Sequence, residues 1–393
     1  MDFLLSRRNL IKHAASTVVA LTLQACAGGF LSSAQNCRKA SLAKTVNPYP
    51  KKVLDIVNET LVIDMAVSLG NCAYNWQRSP YVMSLEEAEF LKSSGISVFH
   101  LYPGLPAKEA YQHAREYVEQ VKQIIDKNSH AIAPIVNVKS FATLEGKKKL
   151  GFLIGFQNSN HFRNVEDVDA FFTIGQRVSQ ITQNERNRLG SGSMEVNDQG
   201  LTKYGTRIIE RMNKLGMVVD VAHCGDRTTL DALAASTKPA LITHANCRAL
   251  NPGYRRDKTD EAIKLMAAKG GVIGLTGLRA FVRDREPTTL EHWLDHVDHI
   301  AQLVGIEHVG IGSDQDVAPN RFDQGKNSSY YRGLPKPIRE FYRFRDKSLI
   351  DALNQNYRIY AIADGLLKRG YSDTDIRGVL GLNFKRVLEA NWA

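Results

Sequence analysis

Two histidines close two successive apolar runs, Gly216-Met217-Val218-Val219-Asp220-Val221-Ala222-His223 and Lys238-Pro239-Ala240-Leu241-Ile242-Thr243-His244. If the runs are neighbouring strands they lie about 5 Å apart. Both imidazoles then reach one divalent ion at about 2.0 to 2.1 Å, the distance typical of zinc. A third run, Val309-Gly310-Ile311-Gly312-Ser313-Asp314, brings a carboxylate to the same rim. Such a group either ligates a metal or takes a proton from metal-activated water. One strand-end histidine is ordinarily a packing residue. Two in succession, with an aspartate on the same rim, point to a metal or acid–base site.

Positioning these side chains on one rim requires parallel strands. From about residue 51, short apolar runs alternate with longer segments of helical period. The candidate strands are 61–67, 96–101, 151–156, 178–182, 217–223, 240–244, 272–276 and 308–314. Helical spacing of apolar residues is clearest over 202–215, 226–235, 260–268 and 290–303. Strand then helix, eight times over, predicts a single-domain (β/α)₈ TIM-type barrel whose C-terminal strand ends face the site. A doubly wound open sheet competes, but Asp64-Met65-Ala66-Val67-Ser68 after the first run is not a glycine-rich phosphate turn. Residues 319–350 read as a long insertion after the eighth strand, carrying Phe322, Tyr330, Tyr331, Phe341, Tyr342 and Phe344 among basic residues. Two readings stand open for it: a cover over the barrel mouth, or a surface flap packing its aromatics on the barrel.

The 393 residues, 43% hydrophobic, can bury a large core. Ahead of the barrel, Ser6-Arg7-Arg8-Asn9-Leu10-Ile11-Lys12 and the apolar run to Leu23 form a twin-arginine signal pattern. That run is too short for a permanent membrane span, which takes about 20 apolar residues. A basic amphipathic helix is the alternative. Leu23-Gln24-Ala25-Cys26 has the form of a lipobox with Gln24 as an awkward member, so a lipid anchor on Cys26 is an open expectation. Residues 1–26 are thus expected to be an export signal, 27–50 a tether and 51–393 the barrel, in a periplasmic protein. The net charge of +10 stays basic after cleavage at Cys26. Lysines and arginines are scattered, with no aromatic-interleaved module, so no nucleic-acid partner is expected. Five cysteines without a CxxC pair indicate neither a disulfide scaffold nor a thiolate zinc knuckle. Cys224 and Cys247 read as small core residues.

Six strings, in order, carry a family resemblance over about 61–388: Gly200-Leu201-Thr202-x-x-Gly205; Met212-Asn213-Lys214-Leu215-Gly216-Met217; Asp220-Val221-Ala222-His223; Thr243-His244-Ala245-Asn246-Cys247-Arg248-Ala249-Leu250; His308 to Asp314; and Leu380-Gly381-x-Asn383-Phe384-x-Arg386-Val387-Leu388. The chain resembles the membrane (renal) dipeptidases, zinc-dependent (β/α)₈ barrels of the amidohydrolase type that hydrolyse dipeptides with water bridging two metal ions. The resemblance makes His223 and His244 ligands of the second ion. It makes Asp314 the acid that handles the proton of the attacking water, and puts Arg256 where the family holds the substrate carboxylate.

The rest of the family pattern is altered. Ala66 and Ser68 stand where the resemblance expects a His-x-Asp pair for the first ion. Gln157 stands at the bridging glutamate and Gln183 at the oxyanion-supporting histidine. Alanine and serine do not replace a histidine and a carboxylate as zinc ligands, and a neutral amide does not neutralise two cations about 3.5 to 4 Å apart. Gln183 still donates a hydrogen bond. The expectation is an exported dipeptidase-like metallohydrolase of dipeptides or related small amides, with one zinc ion at most. The alternative is a non-hydrolytic periplasmic binding or maturation protein for a small amphoteric ligand.

Overall fold

The computed structural model describes residues 48–69, 81–319, 323 and 325–392. The expectations for the export signal, Cys26, the tether up to residue 47, Cys37, Cys72 and Phe322 fall outside the described residues, as does the side chain of Tyr330.

The strands are β1 (Ile63–Asp64), β2 (Val67–Ser68), β3 (Val98–Leu101), β4 (Ile132–Pro134), β5 (Leu150–Phe156), β6 (Gln176–Gln180), β7 (Val218–Asp220), β8 (Leu241–Ile242), β9 (Val272–Leu275), β10 (Val309–Ile311) and β11 (Gln315–Asp316). Eight of them close in the parallel order β1-β3-β5-β6-β7-β8-β9-β10, with Asp64 of β1 registered on Ile311 of β10. This is the (β/α)₈ barrel, and each of the eight expected strands is present. The barrel strands are buried along their whole length, as parallel strands covered on both faces must be. β4 is an addition that periodicity does not show: it pairs with the first half of β5, while β6 takes the second half. Its run is brief and ends in Pro134, which cannot donate to a ladder.

Most strands end earlier than their apolar runs do, because side chains take over the backbone donors. Asp220 Oδ1 accepts from the N–H groups of Ala222 at 2.9 Å and Thr243 at 3.0 Å. Asp64 repeats the arrangement, accepting from Ala66 at 3.1 Å and from Ser313 at 2.9 Å. In each case a carboxylate bolts the tip of one strand to the chain leaving the next. His223, His244 and Asp314 therefore sit two or three residues beyond their strands, on turns whose backbone is fixed by these bonds.

The opposite end is plugged. Phe384, Val387 and Leu388 of the helix Asn383–Trp392 pack with Ile63, Val98, Leu153, Val178, Val218, Leu241 and Val272 inside the barrel. Asn383 donates to the carbonyls of Ile306 and Val309 at 2.9 and 2.8 Å, at the start of β10. A Cβ on Gly310 would lie 2.2 Å from the Phe384 ring, so the plug needs a glycine there. The string from Leu380 to Leu388 thus closes the base of the barrel. The outer helices follow amphipathic spacing. In Lys203–Leu215, Ile208, Ile209 and Met212 face the core, Thr202 caps the start, and Gly216 at φ 87° ends the helix into β7.

The insertion packs its aromatics and also reaches the mouth. Tyr342 stacks on Phe281 with centroids 6.4 Å apart, and Phe281 meets Tyr254 at 5.0 Å. Its hydroxyl accepts from the Asn184 side-chain amide at 2.7 Å, on the loop that follows β6. Among the described residues no helix is long and apolar enough to cross a membrane.

Candidate active site

His223 and His244 are both buried, and their Nε2 atoms approach to 2.9 Å. The other ring nitrogen of each is already engaged. His244 Nδ1 lies 2.8 Å from Thr243 Oγ1, whose own proton goes to the Asp220 carboxylate at 2.6 Å. The Thr243 oxygen can therefore only accept, which makes His244 the Nδ1–H tautomer. His223 Nδ1 lies 2.8 Å from Asn184 Oδ1, and with the amide in this orientation its proton also sits on Nδ1. Two Nε2 lone pairs then face one another. A cation, a shared proton or a reversed Asn184 amide that moves the His223 proton to Nε2 reconciles them.

A proton is a poor solution. Burial, then the Arg256 guanidinium, push the basicity of both rings well below that of an ordinary histidine. Two neutral imidazoles held as Nδ1–H by a carboxylate-linked hydroxyl and an amide are in the state a divalent ion requires. Tetrahedral zinc sets its nitrogens about 3.3 Å apart, so a few tenths of an ångström of separation admit one ion. His223 and His244 supply two nitrogen donors, one fewer than catalytic zinc ordinarily takes from a protein. Among the described residues no group of three or more His, Cys, Asp or Glu converges for a metal.

The donor set does not fit a second ion. Ala66 is fully buried and offers only its carbonyl, which accepts from Asp314 N–H at 2.7 Å and Ser313 Oγ at 3.1 Å. Ser68 is exposed on β2, which pairs with β11 beside the mouth. Gln157 spends its carbonyl oxygen on Gln183 Nε2 at 2.9 Å. Two amides stand hydrogen-bonded to one another where a bridging carboxylate was expected.

Asp314 is half-buried, with φ 55° in the left-handed region that aspartate tolerates better than most residues. Its Oδ1 accepts from the Tyr102 hydroxyl at 2.8 Å. The surrounding protein raises its carboxyl above the ordinary value, and the Tyr102 hydrogen bond opposes that rise. Arg256 is fully buried beneath the pair: Nη1 donates to Ala222 O and Nη2 to His244 O, each at 2.7 Å, while Nε has no acceptor. It binds the two histidine turns together and supplies positive potential below them.

Other residues of the site were not singled out from sequence. His100 of β3 holds its Nδ1 proton on Met65 O at 2.6 Å and leaves Nε2 unpartnered. Burial lowers its pKa to about 4. Tyr102 stacks on His100 at 5.6 Å and meets His244 at a tilt at 5.4 Å, linking the histidine pair to Asp314. Both lie at the end of an expected strand, so the rule that found His223 could have found them. Asn184 and Tyr342 carry no such signal, because they come from a loop and from the insertion. Cys224 accepts from Thr182 Oγ1 at 3.2 Å and Cys247 is covered by His296; both are free, buried thiols.

In (β/α)₈ barrels the active site sits at the C-terminal ends of the strands, the rim where His223, His244 and Asp314 stand. The family model of membrane dipeptidases, peptidase family M19, matches residues 87–356, more than half of the chain, and the chain belongs to that family. It is 29% identical over 249 residues to dipeptidase verJ of Clonostachys rogersoniana, covering 62% of this chain and 55% of that protein. The chain spans about half the length of the curated relatives it matches. Among solved structures it is similar to an amidohydrolase from Pseudomonas aeruginosa, with TM-score 0.72 and 23% identity over 86% of this chain and 99% of that one. It is also similar to a metallo peptidase from Rhodobacter sphaeroides liganded with a phosphinate mimic of the dipeptide L-Ala-D-Ala, with TM-score 0.67 and 17% identity over 85% and 100% of the two chains.

Proposed function

We propose that this barrel is an exported hydrolase of dipeptides or closely related small amides, working with a single zinc ion on His223 and His244 rather than with two. The observation that carries the reading is the convergence of the two Nε2 lone pairs at 2.9 Å with both Nδ1 atoms committed to acceptors. An ion held by His223 and His244 would supply a Lewis acid beside Asp314. The chain's own groups supply the rest. Asp314, with its raised pKa, takes up the proton of the attacking water, and Tyr102 orients that carboxylate. Gln183 and Gln157 offer amide groups to the substrate, and Arg256 keeps the histidine turns in register under a positive potential that favours a substrate carboxylate. The membrane dipeptidase family and the dipeptide-mimic complex of the Rhodobacter sphaeroides neighbour support a dipeptide-like ligand.

A second reading, a non-hydrolytic binding or maturation protein, is favoured by the Gln157–Gln183 amide pair in place of a bridging carboxylate. The deciding experiment measures zinc content of the purified protein and of His223→Ala and His244→Ala, alongside turnover of a dipeptide panel. One equivalent of zinc, lost in either variant, with turnover, supports the single-ion hydrolase. No zinc and no turnover would overturn it, and saturable dipeptide binding without zinc would establish the second reading.

A further inference from the structure

We propose that Gln157 and Gln183 form a recognition edge for an uncharged ligand amide whose carbonyl and N–H lie on one side, as in a lactam or a primary carboxamide. The inference rests on the reading of this rim as a pocket for dipeptides or related small amides, and it needs no metal. Gln183 Nε2 donates to Gln157 Oε1 at 2.9 Å. One bond between two primary amides leaves the NH₂ of Gln157 and the carbonyl oxygen of Gln183 without a protein partner among the described residues. Turning both amides over exchanges these roles and again leaves one donor and one acceptor, so the property does not depend on how either amide is oriented. Both side chains are half-buried rather than sealed, so a ligand can reach them.

The edge is held in place from below. Gln180 of β6 is fully buried, and its Nε2 donates to the carbonyl of Gln157 and, at 3.0 Å, to that of Thr182. It thereby ties the residue after β5 to the residue before Gln183. The Gln157 N–H donates to Pro103 O at 3.0 Å. Next to Pro103, Gly104 lies against the Gln183 amide: a Cβ there would stand 3.2 Å from both Oε1 and Nε2, so glycine leaves that amide its space. Asn184, next in the chain, reaches His223 Nδ1 at 2.8 Å, which puts the pair on the histidine rim. Neither glutamine amide is hydrogen-bonded to a charged group among the described residues, so the edge is neutral and suits a neutral partner. A trans peptide bond directs its C=O and N–H to opposite sides and satisfies one member of the pair. A cis or primary amide directs both to one side and closes a ring of three amides, each donating to the next.

The test titrates the ¹⁵N-labelled protein with three probes, in EDTA so that no turnover intervenes. These are δ-valerolactam, its isostere δ-valerolactone with oxygen in place of N–H, and the linear dipeptide L-alanyl-D-alanine. A site that hydrogen-bonds a ligand N–H discriminates against the analogue lacking it, because its own acceptor is left unpaired. At this half-buried edge the lactam should bind about tenfold more tightly than the lactone and shift the side-chain NH₂ signals of Gln157 and Gln183. Gln157→Met combined with Gln183→Met, which keeps the volume, should remove that preference. Equal binding of lactam and lactone, or lactam binding that leaves both NH₂ signals in place, would overturn the proposal, and neither readout needs a variant. A preference that persists in the double variant would overturn it as well. Binding of L-alanyl-D-alanine alone ends the proposal and leaves the dipeptide reading standing, whereas binding of none of the three ends both.

Discussion

The Tyr102 hydroxyl donates to Asp314 Oδ1 at 2.8 Å, joining two residues that are 212 positions apart in the chain. β1 lies between their two strands in the barrel order, and each residue stands just past a strand end. This bond stabilises the charged carboxylate against the cost of its surroundings. Tyr102→Phe should therefore raise the Asp314 pKa further. A hydrogen bond worth about 1 kcal/mol corresponds to about 0.7 pH unit. The acid limb of the pH profile of dipeptide turnover should move up by that order, and a limb that stays in place would remove Asp314 from the role of base.

A buried ion pair lies behind the same wall. Arg358 Nη2 stands 3.6 Å from Asp64 Oδ2, and both residues are almost wholly removed from solvent. Burial raises the Asp64 carboxyl and lowers the Arg358 guanidinium. Removing one partner strands the other charge, at a cost of about 3 to 5 kcal/mol. Arg358→Met should cost that much in urea unfolding. Adding Asp64→Asn, which keeps the acceptor for Ala66 and Ser313, should recover more than 1 kcal/mol relative to the sum of the single changes. Additive costs would show that the two groups do not interact.

Acid should destabilise the protein before carboxylates titrate. His161 is fully buried among Phe156, Phe162 and Phe171, and burial lowers its pKa to about 3. The unfolded chain protonates this histidine near pH 6.5 and the folded one only near pH 3. Between those values the unfolded state holds the extra proton, so stability falls as pH falls, by about 1.4 kcal/mol per pH unit. Above pH 6.5 both states are neutral and the dependence vanishes. His161→Leu should reduce the slope between pH 6.5 and pH 4 by about that amount, measured by denaturant titration across the window. An unaltered slope would place the acid sensitivity elsewhere.

Export is tested at the other end of the chain. Replacing Arg7 and Arg8 by lysine should hold the protein in the cytoplasm, and Cys26→Ser should release it from the membrane fraction if Cys26 is lipid-anchored. Undiminished export of the double lysine variant, measured by cell fractionation, would refute the twin-arginine reading.

The eight strands and their order were legible in the sequence because a parallel strand buried on both faces must be an unbroken apolar run, and the helices between must show a 3.6-residue period. His223, His244 and Asp314 were legible for the same reason: a polar side chain that ends such a run has nowhere to go but the rim. The absence of a histidine and carboxylate at Ala66 and Ser68 is likewise a statement about residue type alone. What the sequence by itself could not determine is which hydrogen-bond partner each imidazole has. That depends on Thr243 passing its proton to Asp220, on Asn184 leaving the loop after β6, and on Tyr342 arriving from more than a hundred residues away. Strand shortening by Asp64 and Asp220, the burial of Arg256 under the histidine turns and the plug of Phe384 against Gly310 were hidden for the same reason. Each depends on a distance between residues remote in sequence, and periodicity carries no information about such distances. The chain's pattern determined that two imidazoles share the rim, and only the packed barrel decided that they meet through their Nε2 atoms.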